Sequence, residues 1–137
     1  MFGITHERRG IMSAEFNPVG WFEIPVLDLP RATAFYEQVL GLQLEPHEMG
    51  AFQMAWFPMK EGAYGAMGCL VLGESYVPSH AGSVVYFSVQ DIESVLARAT
   101  EQGGKVLLPK TSIGEYGFIA HLEDSEGNRV AIHSNVG

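Results

Sequence analysis

GWFEIPVLDLPRATAFYEQVLG, residues 20–41, decides how the rest of this chain is read. Trp21 to Val26 alternate as a strand, with Phe22, Ile24 and Val26 on one face and Trp21, Glu23 and Pro25 on the other. Asp28 is a good helix N-cap, and Pro30 stands in the first turn, where its missing N–H costs little. Leu29, Ala32, Phe35, Tyr36, Val39 and Leu40 then recur at helical spacing as one apolar stripe, and Gly41 closes the helix. The same plan begins again 63 positions further on, as SVVYFSVQDIESVLARATEQGG, residues 83–104. Val89 stands for Val26, Asp91 for Asp28, Ile92 for Leu29, Gly104 for Gly41 and Pro109 for Pro46. A strand, an Asp cap, a helix and a terminal glycine at one constant offset form an internal repeat.

Outward from these two stretches, each half continues with three strands. In the first half they are expected at Leu42 to His47, Gln53 to Met59 and Ala66 to Leu72, with Pro46 pushing its strand toward a sheet edge or an end. The glycines at 62, 65 and 68 lack the pattern of a phosphate-binding loop and read as a hairpin. In the second half the stripe Ile92, Val95, Leu96 and Ala99 ends at Gly103-Gly104, and strands follow at Val106 to Leu108, Phe118 to Leu122 and Arg129 to Ser134. EDSEGN, ahead of the last strand, has the composition of a turn. Neither half buries a sheet alone at about 65 residues, so the two must pack together or against a partner. The expected fold is α+β: two tandem βαβββ modules, about 18–73 and 82–135, in a single domain spanning 17–137. Residues 1–16 read as a loose extension in which Met12 is a second possible start.

Composition narrows the function classes. The chain has 137 residues, 47% hydrophobic and 18% charged, with a net charge of −8. An acidic protein of this kind is a poor partner for nucleic acid or an anionic membrane. No apolar run approaches a membrane span, and MFGITHERRG has no signal-peptide core. Cys69 is the one cysteine, which excludes an intrachain disulfide and fits a reducing cytoplasm.

VLDLPRATAFYEQVLGL (Val26 to Leu42) and EDSEGNRVAIHS (Glu123 to Ser134) resemble two signatures of the vicinal oxygen chelate superfamily, which includes glyoxalase I, bleomycin-resistance proteins and extradiol dioxygenases. The resemblance covers roughly residues 18 to 135 and implies a cup-shaped, barrel-like sheet with the helices packed outside. It also implies four metal-ligand positions in the cup, for members that use a metal. Carried over, these fall on Trp21, Val84, Ala131 and a place near Gly68, and the first three side chains offer a metal no lone pair. No cofactor is therefore expected, with a divalent metal held elsewhere as the alternative. Homodimers are common in the superfamily and are expected here.

Strand alternation puts Glu23 and His133 two positions from the missing ligands and on the same faces, with Tyr86 as the repeat counterpart of Glu23. A carboxylate, an imidazole and a phenol in one cavity suit acid–base chemistry or the binding of a polar group. Trp21, Trp56, Val84, Tyr86, Tyr116 and Ala131, with Glu23 and His133, are the expected ligand-binding residues. His121 adds a further imidazole if its strand turns that face inward. The leading expectation is a metal-free binder of a small apolar or aromatic molecule. The alternatives are a lyase, isomerase or dioxygenase using Glu23 and His133, and a protein-interaction module.

Overall fold

The computed structural model describes residues 17–137; the proposed N-terminal extension lies outside them. The first half contains β1 (Trp21–Pro25), α1 (Leu29–Leu40), β2 (Glu45–Met49), β3 (Phe52–Trp56) and β4 (Met67–Leu72). The second contains β5 (Tyr86–Ser88), α2 (Ile92–Glu101), β6 (Lys105–Ser112), β7 (Phe118–Glu123) and β8 (Arg129–Ser134). The strands form two four-stranded sheets, in the orders β1-β4-β3-β2 and β5-β8-β7-β6. In each sheet the first strand runs parallel to the last and the other neighbours are antiparallel. The βαβββ duplication is thus present. The sheets do not close into a barrel: among the described residues each keeps two unpaired edges and no strand of one bonds a strand of the other.

The elements form for the reasons the residues supply. Asp28 caps α1 by accepting the Arg31 N–H at 3.0 Å, and Asp91 caps α2 by accepting the Ser94 N–H at 3.3 Å. Gly41 takes a left-handed conformation, φ 69°, in which its N–H reaches the Glu37 carbonyl. Glu37 also holds the Leu44 N–H with its carboxylate, at 2.9 Å. The chain therefore turns through Leu42 to Leu44, and β2 starts at Glu45, later than expected. β3 stops at Trp56, short of Met59, where Pro58 has no N–H to offer. β6 runs on to Ser112, past its expected end, and its register shifts on either side of Leu108. Pro46 and Pro109 both lie on edge strands, β2 and β6, the places where a missing N–H leaves no ladder broken.

Both helical stripes enter one continuous core with Ile24, Val26, Leu70 and Ile132, with Leu29 and Leu40 partly buried at its margin. The two helices cover the same side of the molecule and touch each other. Phe22 of β1 lies 5.9 Å from Phe87 of β5, edge to face, and both meet Phe57, so an aromatic nucleus joins the halves. Gly68 makes room for it, since a Cβ there would run into the Phe22 ring.

A polar lock supplements the core. The turn EDSEGN reaches back to the first half, where Glu126 accepts the N–H groups of Leu27 and Asp28 and two donors from Arg31, at 2.8–3.0 Å. Its side chain is fully buried. Burial opposes its ionisation, but these hydrogen bonds outweigh that and hold the carboxyl at about 2. Beside it, Asp124 accepts from the buried Tyr36 hydroxyl and the Asn128 amide, while Asn128 donates to the Pro25 carbonyl at 2.8 Å. Among the described residues no helix is long and apolar enough to cross a membrane.

Candidate functional site

With the helices on one side, alternation sends the other set of strand residues to the opposite, concave side. The two halves furnish that side differently. In the first half Met54, Cys69 and Val71 are buried under Phe52, Trp56 and Tyr76 as a small second cluster. Trp21 meets Trp56 edge-on at 5.3 Å, and the His47 ring stacks on Trp56 at 3.8 Å. The Glu23 carboxylate spans this wall, accepting from the Tyr76 hydroxyl at 2.7 Å and from the Trp21 indole at 3.3 Å. That bond to Glu23 is the main reason the Tyr76 phenol is harder to ionise than an ordinary one.

The second half presents polar side chains. Tyr86 Oη lies 3.0 Å from His121 Nε2, and His121 Nδ1 lies 2.9 Å from the Arg129 guanidinium. Burial and the Arg129 charge both lower the His121 pKa. His133 Nε2 lies 2.6 Å from the Tyr116 carbonyl oxygen, a bond in which the ring nitrogen donates.

Two clefts open between these walls. One, of about 640 Å³, is lined by Trp21, Glu23, Val84 and Tyr86. The other, of about 720 Å³, is lined by Tyr86, Ile113, Ile119 and His133. Val19, Tyr64 and Tyr86 border both, so the two form one trough. A cavity of about 530 Å³ also lies on the helical side. Its charged groups already have partners, since Asp91 and Ser94 cap α2 and Arg98 donates to the Val39 carbonyl. The trough is the better candidate because aromatic walls and polar groups meet there.

The expected residues divide accordingly. Trp21, Glu23, Val84, Tyr86 and His133 border the trough. Trp56 instead lines a separate surface cleft with Pro46 and Pro58. Ala131 is fully buried, in register with both Tyr86 and His121. The Tyr116 ring is exposed and borders neither cleft; its carbonyl is what meets His133. His121 does face inward, with one ring nitrogen toward a cation and the other toward a phenol. Tyr64, Tyr76 and Arg129 were not singled out by sequence. Tyr64 and Tyr76 lie in turns, which carry no facial periodicity, and Arg129 is recognisable only once its strand register is known.

In register, Glu23 pairs with Cys69 as Tyr86 pairs with Ala131, so the structural counterpart of Ala131 in the first half is Cys69 rather than Gly68. Of Trp21, Val84, Ala131 and Cys69, only the thiol has a lone pair for a metal. Cys69 is completely buried, and burial together with the Glu23 charge pushes its thiol up to about 11, away from the metal-binding thiolate. Among the described residues no three His, Cys, Asp or Glu side chains converge on one point. This set of side chains does not fit a metal ion.

Comparison with known proteins adds the following. A family model described as the Glyoxalase/Bleomycin resistance protein/Dioxygenase superfamily matches residues 19–132. The relatives named glyoxylase CFP32 in Mycobacterium bovis and Mycobacterium tuberculosis are each 32% identical over 128 residues. The match takes in 91% of this chain and 48% of each relative, so the chain spans about half their length. Among solved structures, glyoxalase I from Zea mays superposes with a TM-score of 0.62 at 22% identity, over 86% of this chain and 46% of that one. TnmS3, an antibiotic binding protein from Streptomyces sp. CB03234, gives 0.60 at 23% identity, over 87% and 96%. At these identities the structural likeness shows the fold.

Proposed function

The chain belongs to the glyoxalase/bleomycin resistance protein/dioxygenase superfamily, and from that premise we propose that it binds a small aromatic or apolar molecule in the trough without a metal. One observation carries the reading. An open trough lies where the resemblance puts the family's cup, and of the positions it gives for metal ligands Trp21, Val84 and Ala131 offer no lone pair while the Cys69 thiol is buried and held protonated, which supports a metal-free reading. Trp21, Val84 and Tyr64 supply apolar surface, and Tyr86, Glu23 and His133 are the polar points that orient a ligand.

Acid–base chemistry by Glu23 and His133 is the weaker reading. Both Glu23 oxygens already accept hydrogen bonds, and the near nitrogen of His133 is committed to a backbone carbonyl. Hydrogen bonds accepted by a carboxylate lower its basicity, and a general base must aim a lone pair at its substrate rather than be held by the protein. Ligand binding asks less of these groups.

The test combines metal analysis with a ligand screen. Protein purified without chelators and reloaded with Ni, Zn, Fe and Mn should retain no stoichiometric metal. Aromatic compounds should raise its melting temperature and alter the fluorescence of Trp21, which is 37% exposed at the trough. In Trp21→Phe the fluorescence response should be largely lost. One metal per chain, lost in Glu23→Ala or His133→Ala, would overturn the proposal. So would a screen in which no compound shifts the melting temperature.

A further inference from the structure

Tyr86 stands where the two clefts join, 47% exposed, and its hydroxyl is the last member of a directed chain. The direction is fixed at the other end. A guanidinium has N–H donors and no acceptor, so at 2.9 Å from Arg129 the Nδ1 of His121 must carry its lone pair. The ring proton of the neutral imidazole is then on Nε2, which faces the Tyr86 oxygen at 3.0 Å and donates to it. A doubly protonated ring would turn an N–H and a second positive charge toward Arg129. Burial and the Arg129 charge disfavour that form. With its oxygen accepting from His121, Tyr86 keeps its own hydrogen for another partner. Among the described residues its hydroxyl makes no other hydrogen bond. Accepting one hydrogen bond also polarises a hydroxyl and strengthens the one it donates.

We infer that Tyr86 is the trough's hydrogen-bond donor, set in that role by Arg129 and His121, and that it selects a ligand bearing a neutral acceptor oxygen on an aromatic or apolar body. A ketone, ester, amide or quinone oxygen meets this description. A carboxylate does not suit the site as well, because the Glu23 carboxylate borders the same trough and the chain carries a net charge of −8. Arg129 and His121 are positioning residues, acting on the ligand only through the Tyr86 hydroxyl. The inference rests on the reading of the trough as a small-molecule site.

Two measurements test it. In ¹⁵N-resolved NMR of the wild-type protein at neutral pH, His121 should show an unprotonated Nδ1 and a protonated Nε2. An Nδ1–H tautomer or an imidazolium would overturn the inference without any ligand. The second measurement titrates three probes of similar size: acetophenone, ethylbenzene and benzoate. Acetophenone should bind more tightly than ethylbenzene by about three- to tenfold, the worth of one neutral hydrogen bond, and more tightly than benzoate. In Tyr86→Phe the ratio of acetophenone to ethylbenzene affinity should fall to about one. Arg129→Met should lower it in the same direction, and if that variant does not fold, the wild-type tautomer still decides the direction of the chain. Equal binding of acetophenone and ethylbenzene by the wild type would overturn the donor role and leave the small-molecule reading intact. Preference for benzoate would overturn the neutral-acceptor assignment. Binding of none of the three would remove the small-molecule reading and this inference with it.

Discussion

At Cys69, burial and the neighbouring Glu23 carboxylate push the thiol up to about 11, so only about one part in a thousand is thiolate at pH 8. The folded protein should therefore react with Ellman's reagent no faster than it opens, and denaturant should release one fast-reacting thiol per chain. Rapid stoichiometric labelling of the native protein would show that the satellite cluster over Cys69 is open to solvent. Gly68, the preceding residue, is constrained from the other side of the sheet by the Phe22 ring. Gly68→Ala should cost about 1–3 kcal/mol by overpacking, read as a lower urea midpoint at unchanged m-value. Adjacent residues on one strand thus answer to opposite faces.

The helices show a similar division at the scale of elements. Each has an Asp at its N-cap, and Asp91→Ala should cost about 1 kcal/mol, the usual worth of that hydrogen bond. The N-terminal end of α1 is different because the second half reaches it. Glu126 takes the Leu27 and Asp28 N–H groups and both Arg31 donors, so Glu126→Gln should cost more, about 2 kcal/mol, by urea unfolding at neutral pH. Equal losses in the two variants would mean that Glu126 adds no more than an ordinary cap. The edge position of β2 was also legible at this scale, from Pro46, whereas Pro109 lies on the edge strand β6 beyond where that strand was expected to end. Strand ends were not: β2 begins late because Glu37 holds the Leu44 N–H, a bond that no periodicity announces.

For the whole molecule, the polar lock and the aromatic nucleus make one folding unit of two halves. Both tryptophans lie in the first half, whereas far-UV circular dichroism reports on both halves. The two signals should give coincident urea transitions; separated midpoints would mean that the halves unfold independently. Stability should also depend on acid in a defined window. The carboxyl of Glu126 has a folded pKa of about 2 against an ordinary 4.5, so its contribution is complete above about 4.5 and is lost as pH falls toward 2. Glu126→Gln should flatten the wild-type pH dependence in that range. An unchanged slope would assign the acid sensitivity to other carboxylates.

The sequence alone determined the βαβββ repeat, the two caps, both buried helical stripes and the family, because these are written in local spacing that one chain segment satisfies by itself. It also placed Trp21, Glu23, Tyr86 and His133 on the inward faces, since strand alternation has a fixed period of two. Only the tertiary structure decided what those side chains meet. That Glu23 is taken by Tyr76, that Ala131 is covered, that Trp56 lies outside the trough, and that Arg129 orients His121 toward Tyr86 all depend on register and on contacts between distant segments. The lock follows the same rule: EDSEGN reads as a turn, and its carboxylates became the joint between the halves only when packing brought Tyr36 and Arg31 against them. Local spacing fixes which way a side chain faces, whereas its partner is fixed by the three-dimensional approach of segments far apart in the chain.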